Sequence, residues 1–312
     1  MKILLTSTSF QDTPGKHQEL LNATGFDVDT LRGPVKKEVL LPIISQYDGI
    51  ICGDDEYTQE VIAEGKKGRL KVISKYGIGL DKIDTIAAKE LNIPVTNCPG
   101  VNHTTVAEHV FALLLSFVKH IPQELAHTKK GEWTRYTGNE IYGKTMGIIG
   151  LGKIGKEVAK RAQAFGLRTI AYDQYWDESF ADKFQINRCD TIEELFANCD
   201  IISLHTDLNK ETRYIISTKR IKENMKQDCI LINTARGELV EMEGLIWGLN
   251  EKKIKGYLTD VLEEEPMKQD HPLRNYENVF ITPHIGSRTF ESVERQGTMA
   301  VENLLQHLNK RG

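Results

Sequence analysis

Three polar residues with complementary chemistry follow three separate apolar runs in the second half of the chain. Arg236 comes after Ile230-Leu-Ile-Asn-Thr-Ala, Glu265 lies past Leu258-Thr-Asp260, and His284 follows Phe280-Ile-Thr-Pro283. An Arg, a Glu and a His suit hydride transfer to a 2-oxo acid. The guanidinium presents a bidentate fork to a carboxylate and polarises the neighbouring carbonyl. The imidazole delivers or accepts a proton near neutral pH. A carboxylate on the other imidazole nitrogen orients the ring and favours its protonated form, which keeps an acid available for reduction. Taken singly, each has a plainer reading: a surface arginine, a solvated acid in the run Glu263-Glu264-Glu265, and a satisfied loop histidine. Only elements that bring the three together make them a site.

Those elements are legible as short β-branched runs alternating with helical patterns, the signature of a parallel sheet. One set comprises Lys2–Thr6, Phe26–Leu31, Tyr47–Cys52, Leu70–Ser74 and Ile93–Thr96. A second comprises Thr145–Gly150, Arg168–Asp173, Asp200–His205, Cys229–Asn233, Gly256–Asp260 and Val279–Thr282. Between them, Thr104–Val118 is rich enough in Ala, Leu and Val for a buried helix, and the tail from Arg288 is helical in pattern. In an open α/β sheet, ligands bind beyond the carboxyl ends of the strands, so all three polar residues are placed to face one crevice.

The same crevice has a cofactor signal, Gly150-Leu-Gly152-Lys153-Ile154-Gly155, between a strand and a helix pattern spanning Ile154–Phe165. Gly150 permits the tight turn, Gly152 lets amides approach a pyrophosphate, and Gly155 lets the helix pack on the strand with its N-terminus toward the phosphates. The next strand ends in Asp173, roughly 20 residues on, where a carboxylate accepts hydrogen bonds from an adenosine ribose. It would repel a 2′-phosphate, and Gln174-Tyr175-Trp176 brings no cation to hold one. NAD is therefore expected over NADP. The fingerprint sits late, so the expected fold is α/β with two Rossmann-like doubly wound parallel-sheet domains. The cofactor domain (101–285) is inserted into a discontinuous substrate domain (1–100, completed by 286–312).

Composition bounds the partners. The chain has 312 residues, with 40 basic against 44 acidic side chains and a net charge of −4, which argues against a broadly basic surface for nucleic acid or membrane. No apolar run has the ~18 residues of a membrane span, and Ile3-Leu-Leu5 is too short for a secretory signal. Five cysteines without CxxC spacing argue against a disulfide framework or a zinc knuckle, so reduced thiols in the cytoplasm and no metal are expected.

Asn233-Thr234-Ala-Arg236-Gly237, Asp260-Val-Leu-Glu-Glu-Glu265-Pro266 and Thr282-Pro-His284-Ile-Gly286 together resemble the D-isomer-specific 2-hydroxyacid dehydrogenases, especially the phosphoglycerate dehydrogenase-like members. Tyr76-Gly77-Ile78-Gly79-Leu-Asp81 resembles that family's substrate loop, Pro94–Gly100 and Val106–His109 its interdomain segment, and Gly131-Glu-Trp133 its interface loop. The resemblance implies that Arg236 and His284 bind and protonate substrate, with Glu265 as the histidine's partner. It implies that amides around Gly77, Ile78 and Gly79 hold the substrate carboxylate, that Asp260 meets the nicotinamide carboxamide, and that Thr234 and His205 line the cofactor groove. It also implies a homodimer. Asp207, where the family usually has proline, and Thr259, in place of the commoner alanine, depart from its pattern. The sequence ends soon after His284, so the regulatory C-terminal domain of some phosphoglycerate dehydrogenases is not expected.

Lys75, beside the substrate loop, is either a cation for a second anionic group or a solvated strand-end lysine. His103, Trp133 and Arg135 are candidates for the substrate end of the cleft. Crossings near Pro99–Thr104 and Ile285–Thr289, with Gly100 and Gly286 as hinges, would allow the domains to close. The expected activity is NAD-dependent interconversion of a D-2-hydroxy acid and its 2-oxo acid, on a small anionic substrate of phosphoglycerate or hydroxypyruvate/glyoxylate type. Two other classes use the same fold: an NAD(H)-sensing interaction protein of corepressor type, and an enzyme with tightly held NAD acting on a thioether. The first would be expected to carry long disordered tails or a peptide-docking extension, which the sequence lacks, and the second would not need the Arg–Glu–His set.

Overall fold

The computed structural model describes residues 1–308. It contains two compact units, one formed by Met1–Asn102 with the segment from Ser287 onward, the other by His103–Gly286. The first holds five parallel strands, β1 (Lys2–Leu5), β2 (Asp27–Thr30), β3 (Gly49–Cys52), β4 (Val72–Lys75) and β5 (Val95–Thr96), in the order β2-β1-β3-β4-β5. The second holds seven: β6 (Thr145–Ile149), β7 (Arg168–Tyr172), β8 (Asn187–Arg188), β9 (Ile201–Leu204), β10 (Cys229–Asn233), β11 (Ile254–Thr259) and β12 (Val279–Ile281). Their order is β12-β11-β10-β9-β6-β7-β8, again all parallel. The chain builds outward from β6 through β7 to β8, then returns to lay β9 on the other side of β6. That reversal is the topological switch point at which such sheets bind ligands.

Parallel strands are covered on both faces, so their central members read as unbroken apolar runs rather than as alternation. Every residue of β3, β6, β9 and β10 is buried. Helix His103–Val118 lies on helix Lys153–Ala164, and Val110, Leu114, Val158 and Ala162 join Ile148 and Ile232 in one core. The tail helix, Phe290–Leu308, packs on the first sheet, where Val293, Val301 and Leu304 meet Ile3, Ile51 and Val72. Burying one such side chain contributes about 1.5–3 kcal/mol. The expected tail helix extended to 312, and its last four positions lie outside the described residues.

The structure differs from the sequence reading at a few boundaries. β8 was not expected, because its two residues are polar and exposed at a sheet edge and lack any apolar signal. β4 begins at Val72 and includes Lys75, which is 3% exposed. β11 starts two residues before the expected Gly256. All five cysteines are free and buried. Burial holds the Cys98 and Cys189 thiols up at about 11.

Candidate active site

Strand register lines the cofactor candidates up along one edge of the second sheet. Ile149 pairs with Tyr172 on one side and Leu204 on the other, Asn233 pairs with Leu204 and Thr259, and Thr259 pairs with Ile281. The residues that follow are therefore Asp173, Gly150, His205, Thr234, Asp260 and Thr282, one per strand, with neighbouring strands about 4.8 Å apart. Five of these six were singled out in the sequence. Thr282 was not, although its place two residues before His284 could have pointed to it.

The groove along this edge fits a dinucleotide. Gly150 adopts φ +94°, and a Cβ at Gly155 would stand 2.0 Å from the Gly150 carbonyl oxygen, so loop and helix touch backbone to backbone. At Gly152 an added Cβ would meet nothing within 4 Å, which leaves an open approach over the start of helix Lys153–Ala164. That helix has no side-chain cap on its first amides, and Lys153 and Ile154 open it. Asp173 closes the loop: its carboxylate accepts the Leu151 N–H at 2.5 Å and the Tyr175 N–H at 2.7 Å. The Thr234 hydroxyl, on the residue that follows β10 at this edge, is buried without a partner, an unmet polar group. His205 Nε2 lies 2.8 Å from Ser203 Oγ, and burial drives its pKa down to about 3. It is a neutral hydrogen-bonding group and not a proton donor. Along the edge, Asp173 after β7 would take the adenosine ribose, the Gly150–Gly155 loop after β6 the pyrophosphate, and Thr234 after β10 the nicotinamide end.

Asp260 is 2% exposed and already well occupied. Its Oδ1 accepts from the Thr282 hydroxyl at 2.6 Å and the Ile285 N–H at 2.9 Å, with His109 Nε2 at 3.4 Å. Its Oδ2 accepts the Gly286 N–H at 2.7 Å, which leaves Oδ2 as the oxygen with capacity for a carboxamide. Burial alone would raise its pKa. The hydrogen bonds from His109, Thr282 and Ile285 bring it below the ordinary carboxylate value, so the group is ionised. The departures at Asp207 and Thr259 are locally absorbed: Asp207 is exposed, and the Thr259 hydroxyl bonds within its own turn, to Val261 O at 2.7 Å.

The catalytic candidates occupy the loops after β10, β11 and β12. The Asn233 side chain pinches the turn that presents Arg236, donating to Arg236 O at 2.8 Å and accepting from Ala235 N at 3.1 Å. Gly237 then passes so close to Leu262 and Glu263 that a Cβ would stand 2.1 Å from the Leu262 carbonyl carbon. The Arg236 turn is thereby seated on the loop that carries Glu265. There, Glu265 Oε1 accepts the Leu262 N–H at 3.0 Å and Oε2 meets His284 Nδ1 at 2.8 Å. A carboxylate only accepts, so Nδ1 carries the proton in this contact. His284 has φ +53°, in the left-handed region that non-glycine residues rarely enter.

The substrate-loop candidates belong to the first unit. The carbonyls of Gly77 and Ile78 are engaged, by the Cys98 N–H and the Asn97 side chain, both at 2.8 Å. The N–H groups of Gly77, Ile78 and Gly79 donate to nothing among the described residues, an arrangement suited to a carboxylate. Tyr76 is buried against Phe10, its hydroxyl unpartnered. Lys75 is not a solvated lysine: it is buried and its Nζ contacts Asp54 at 2.8 Å. It remains close to the loop, 3.8 Å from where a Cβ on Gly77 would be. His103 begins its helix, with Nδ1 buried and unpartnered. Trp133 is 83% exposed and Arg135 is also exposed, and no described contact joins either to Arg236, Glu265 or His284.

Residues 111–286 match the family model for the D-isomer specific 2-hydroxyacid dehydrogenase, NAD binding domain. The chain is similar to a D-3-phosphoglycerate dehydrogenase of Methanocaldococcus jannaschii, with 39% identity over 97% of this chain but only 57% of that protein's length. It is 38% identical to a hydroxypyruvate reductase of Thermotoga maritima, over 93% of this chain and 94% of that protein. Among solved structures, a Thermus thermophilus protein superposes with a TM-score of 0.88 at 36% identity, covering 100% of this chain and 98% of its own. The chain therefore belongs to the D-isomer specific 2-hydroxyacid dehydrogenases, a family of NAD-dependent oxidoreductases, and its seven-stranded unit is the NAD-binding domain of that family.

Proposed function

We propose that this dehydrogenase interconverts a small D-2-hydroxy acid and its 2-oxo acid, with His284 as general acid–base, Arg236 as the substrate clamp and Glu265 as the histidine's partner. The observation that carries this reading is the 2.8 Å contact between His284 Nδ1 and Glu265 Oε2, which pairs the imidazole with a carboxylate suited to stabilise its protonated form. NADH, when bound, supplies the hydride. In reduction, Arg236 holds the carboxylate and draws electron density from the carbonyl, and His284 Nε2 gives its proton to the oxygen as negative charge develops there. Glu265 stabilises the imidazolium and fixes its orientation. In oxidation, His284 Nε2 takes the hydroxyl proton.

The amides of Gly77, Ile78 and Gly79, with Tyr76 beside them, are assigned to the substrate carboxylate, and Lys75 to the anionic side of the substrate. Gly150, Gly152, Lys153, Ile154, Gly155, Asp173, His205, Thr234 and Asp260 are assigned to NAD. Phosphohydroxypyruvate, hydroxypyruvate and glyoxylate are the substrate types to examine, since relatives carry the names phosphoglycerate dehydrogenase, hydroxypyruvate reductase and glyoxylate reductase. A homodimer is part of the reading, supported by the large exposed apolar side chains of Leu125, Trp133 and Tyr136. So is a cytoplasmic location, supported by five free thiols. No single helix among the described residues is long and apolar enough to cross a membrane. The corepressor-type alternative is not favoured, because these relatives are named as enzymes. Changing His284 to Ala lowers turnover by about 10²–10⁴-fold if it is the general acid–base. Turnover like that of the unchanged protein removes it from the mechanism.

A further inference from the structure

We propose that His109, which has no role in the reading above, is a positioning residue that acts through Thr282 and Asp260 to hold the backbone of His284 in its left-handed conformation. The inference rests on the assignment of His284 as the general acid–base.

Three successive N–H groups converge on one residue. The His284 N–H donates to the Asp260 carbonyl at 2.9 Å, the Ile285 N–H to Asp260 Oδ1 at 2.9 Å, and the Gly286 N–H to Asp260 Oδ2 at 2.7 Å. A histidine at φ +53° persists only where its surroundings dictate it, and these three bonds are the dictating contacts. The carboxylate must itself be fixed for this to work. Its Oδ1 accepts from the Thr282 hydroxyl at 2.6 Å, and behind the hydroxyl His109 Nε2 lies 2.9 Å from Thr282 Oγ1.

The direction of the chain of hydrogens follows from the acceptor at its end. Asp260 only accepts, so Thr282 spends its one proton there, and Thr282 Oγ1 can only accept from His109. His109 must therefore carry hydrogen on Nε2. Its own position is rigid, because it stands on helix His103–Val118, whose Val106, Val110 and Leu114 are buried in the core. There is no slack around the cluster: a Cβ at Gly286 would stand 2.8 Å from Asp260 Oδ2 and 3.4 Å from His109 Cδ2. Helix, hydroxyl, carboxylate and loop form one continuous support that ends at the peptide of His284. That support sets where the imidazole ring stands relative to Glu265.

A purely structural cluster would affect folding. A positioning cluster also affects the chemical step, and rates fall steeply when a reacting group is displaced by about 1 Å. The test compares the unchanged full-length protein with Thr282→Val, Thr282→Ser, His109→Leu and His109→Gln. It measures kcat with the best 2-oxo acid, the NADH dissociation constant by fluorescence, and Tm. Val and Leu break the relay, whereas Ser keeps the hydroxyl and Gln keeps a donor. Thr282→Val and His109→Leu are expected to lower kcat about 10- to 100-fold while the NADH dissociation constant changes less than about threefold. Thr282→Ser and His109→Gln are expected to recover kcat to within about threefold. The inference is overturned if the breaking variants keep full kcat. It is equally overturned if their kcat loss is matched by lost NADH affinity, or if Ser and Gln rescue nothing. Should Thr282→Val not fold, the His109 pair decides alone. Absence of 2-oxo acid reduction by the unchanged protein would instead sink the functional reading on which the inference rests.

Discussion

Replacing Glu265 with glutamine removes one negative charge from beside the His284 imidazole and leaves the shape of the site almost intact. The glutamine carbonyl can still accept the Leu262 N–H that Oε1 accepts now. Its amide nitrogen then faces His284 Nδ1, donor against donor, in place of the 2.8 Å charge-assisted bond. The imidazolium loses most by this change, so the loss falls on reduction, where His284 must begin protonated. At 2.8 Å the Coulomb interaction of two unit charges is about 1.5 kcal/mol in a water-like dielectric and about 6 kcal/mol at an effective constant of 20. The two side chains are 34% and 31% exposed, so screening by water favours the lower figure. A net of about 1.5–3 kcal/mol, the usual worth of a hydrogen bond to a charged group, is the appropriate scale. At about 1.4 kcal/mol per tenfold in rate, kcat for 2-oxo acid reduction falls roughly 10- to 100-fold. The assay is steady-state turnover at saturating NADH, with NADH affinity measured separately. A kcat within about twofold of the unchanged protein would refute the pairing as a catalytic feature.

Two further expectations concern the cofactor groove. Gly152→Ala places its Cβ in open space, so Tm stays unchanged while NADH affinity drops about tenfold or more; Gly155→Ala drives a Cβ into the Gly150 carbonyl and destabilises the fold by about 1–3 kcal/mol. Equal effects of the two on Tm would show that the groove has been misread. His205, with its pKa pushed down to about 3, keeps its full contribution to stability above the ordinary histidine value near 6.5. Below that pH the unfolded chain takes up a proton that the folded site refuses, so stability is lost as pH falls from about 6.5 toward 3, by at most about 1.4 kcal/mol per pH unit. Urea unfolding at pH 7 and pH 4 should show a smaller acid loss for His205→Gln than for the unchanged protein. An equal loss in both would contradict the burial argument.

Much of this site was legible before the structure because its parts are local. Gly150, Gly152 and Gly155 with Asp173 form one βαβ unit, and Arg236, Glu265 and His284 each follow a strand whose apolar run marks where it ends. Other features arise from contacts that sequence spacing does not encode. Lys75 reads as a strand-end lysine until Asp54 is found beside it in a buried site. His109 sits in an Ala/Val/Leu-rich helix, and nothing in that helix announces that it meets Thr282 from a distant strand. Asp260 was legible as a site residue, but not as the acceptor for Ile285 and Gly286, because that depends on the left-handed turn at His284. β8 escaped because a two-residue polar edge strand has no pattern to read.

The central claim is that the Arg236, Glu265 and His284 set reduces a 2-oxo acid with NADH. The most direct measurement is loss of NADH absorbance when the purified protein meets a panel of hydroxypyruvate, glyoxylate, phosphohydroxypyruvate and dicarboxylic 2-oxo acids, with the configuration of the product determined. Turnover of at least one compound to the D-2-hydroxy acid is expected, abolished or nearly so by His284→Ala. A folded protein that binds NADH yet oxidises it with none of these compounds would contradict it.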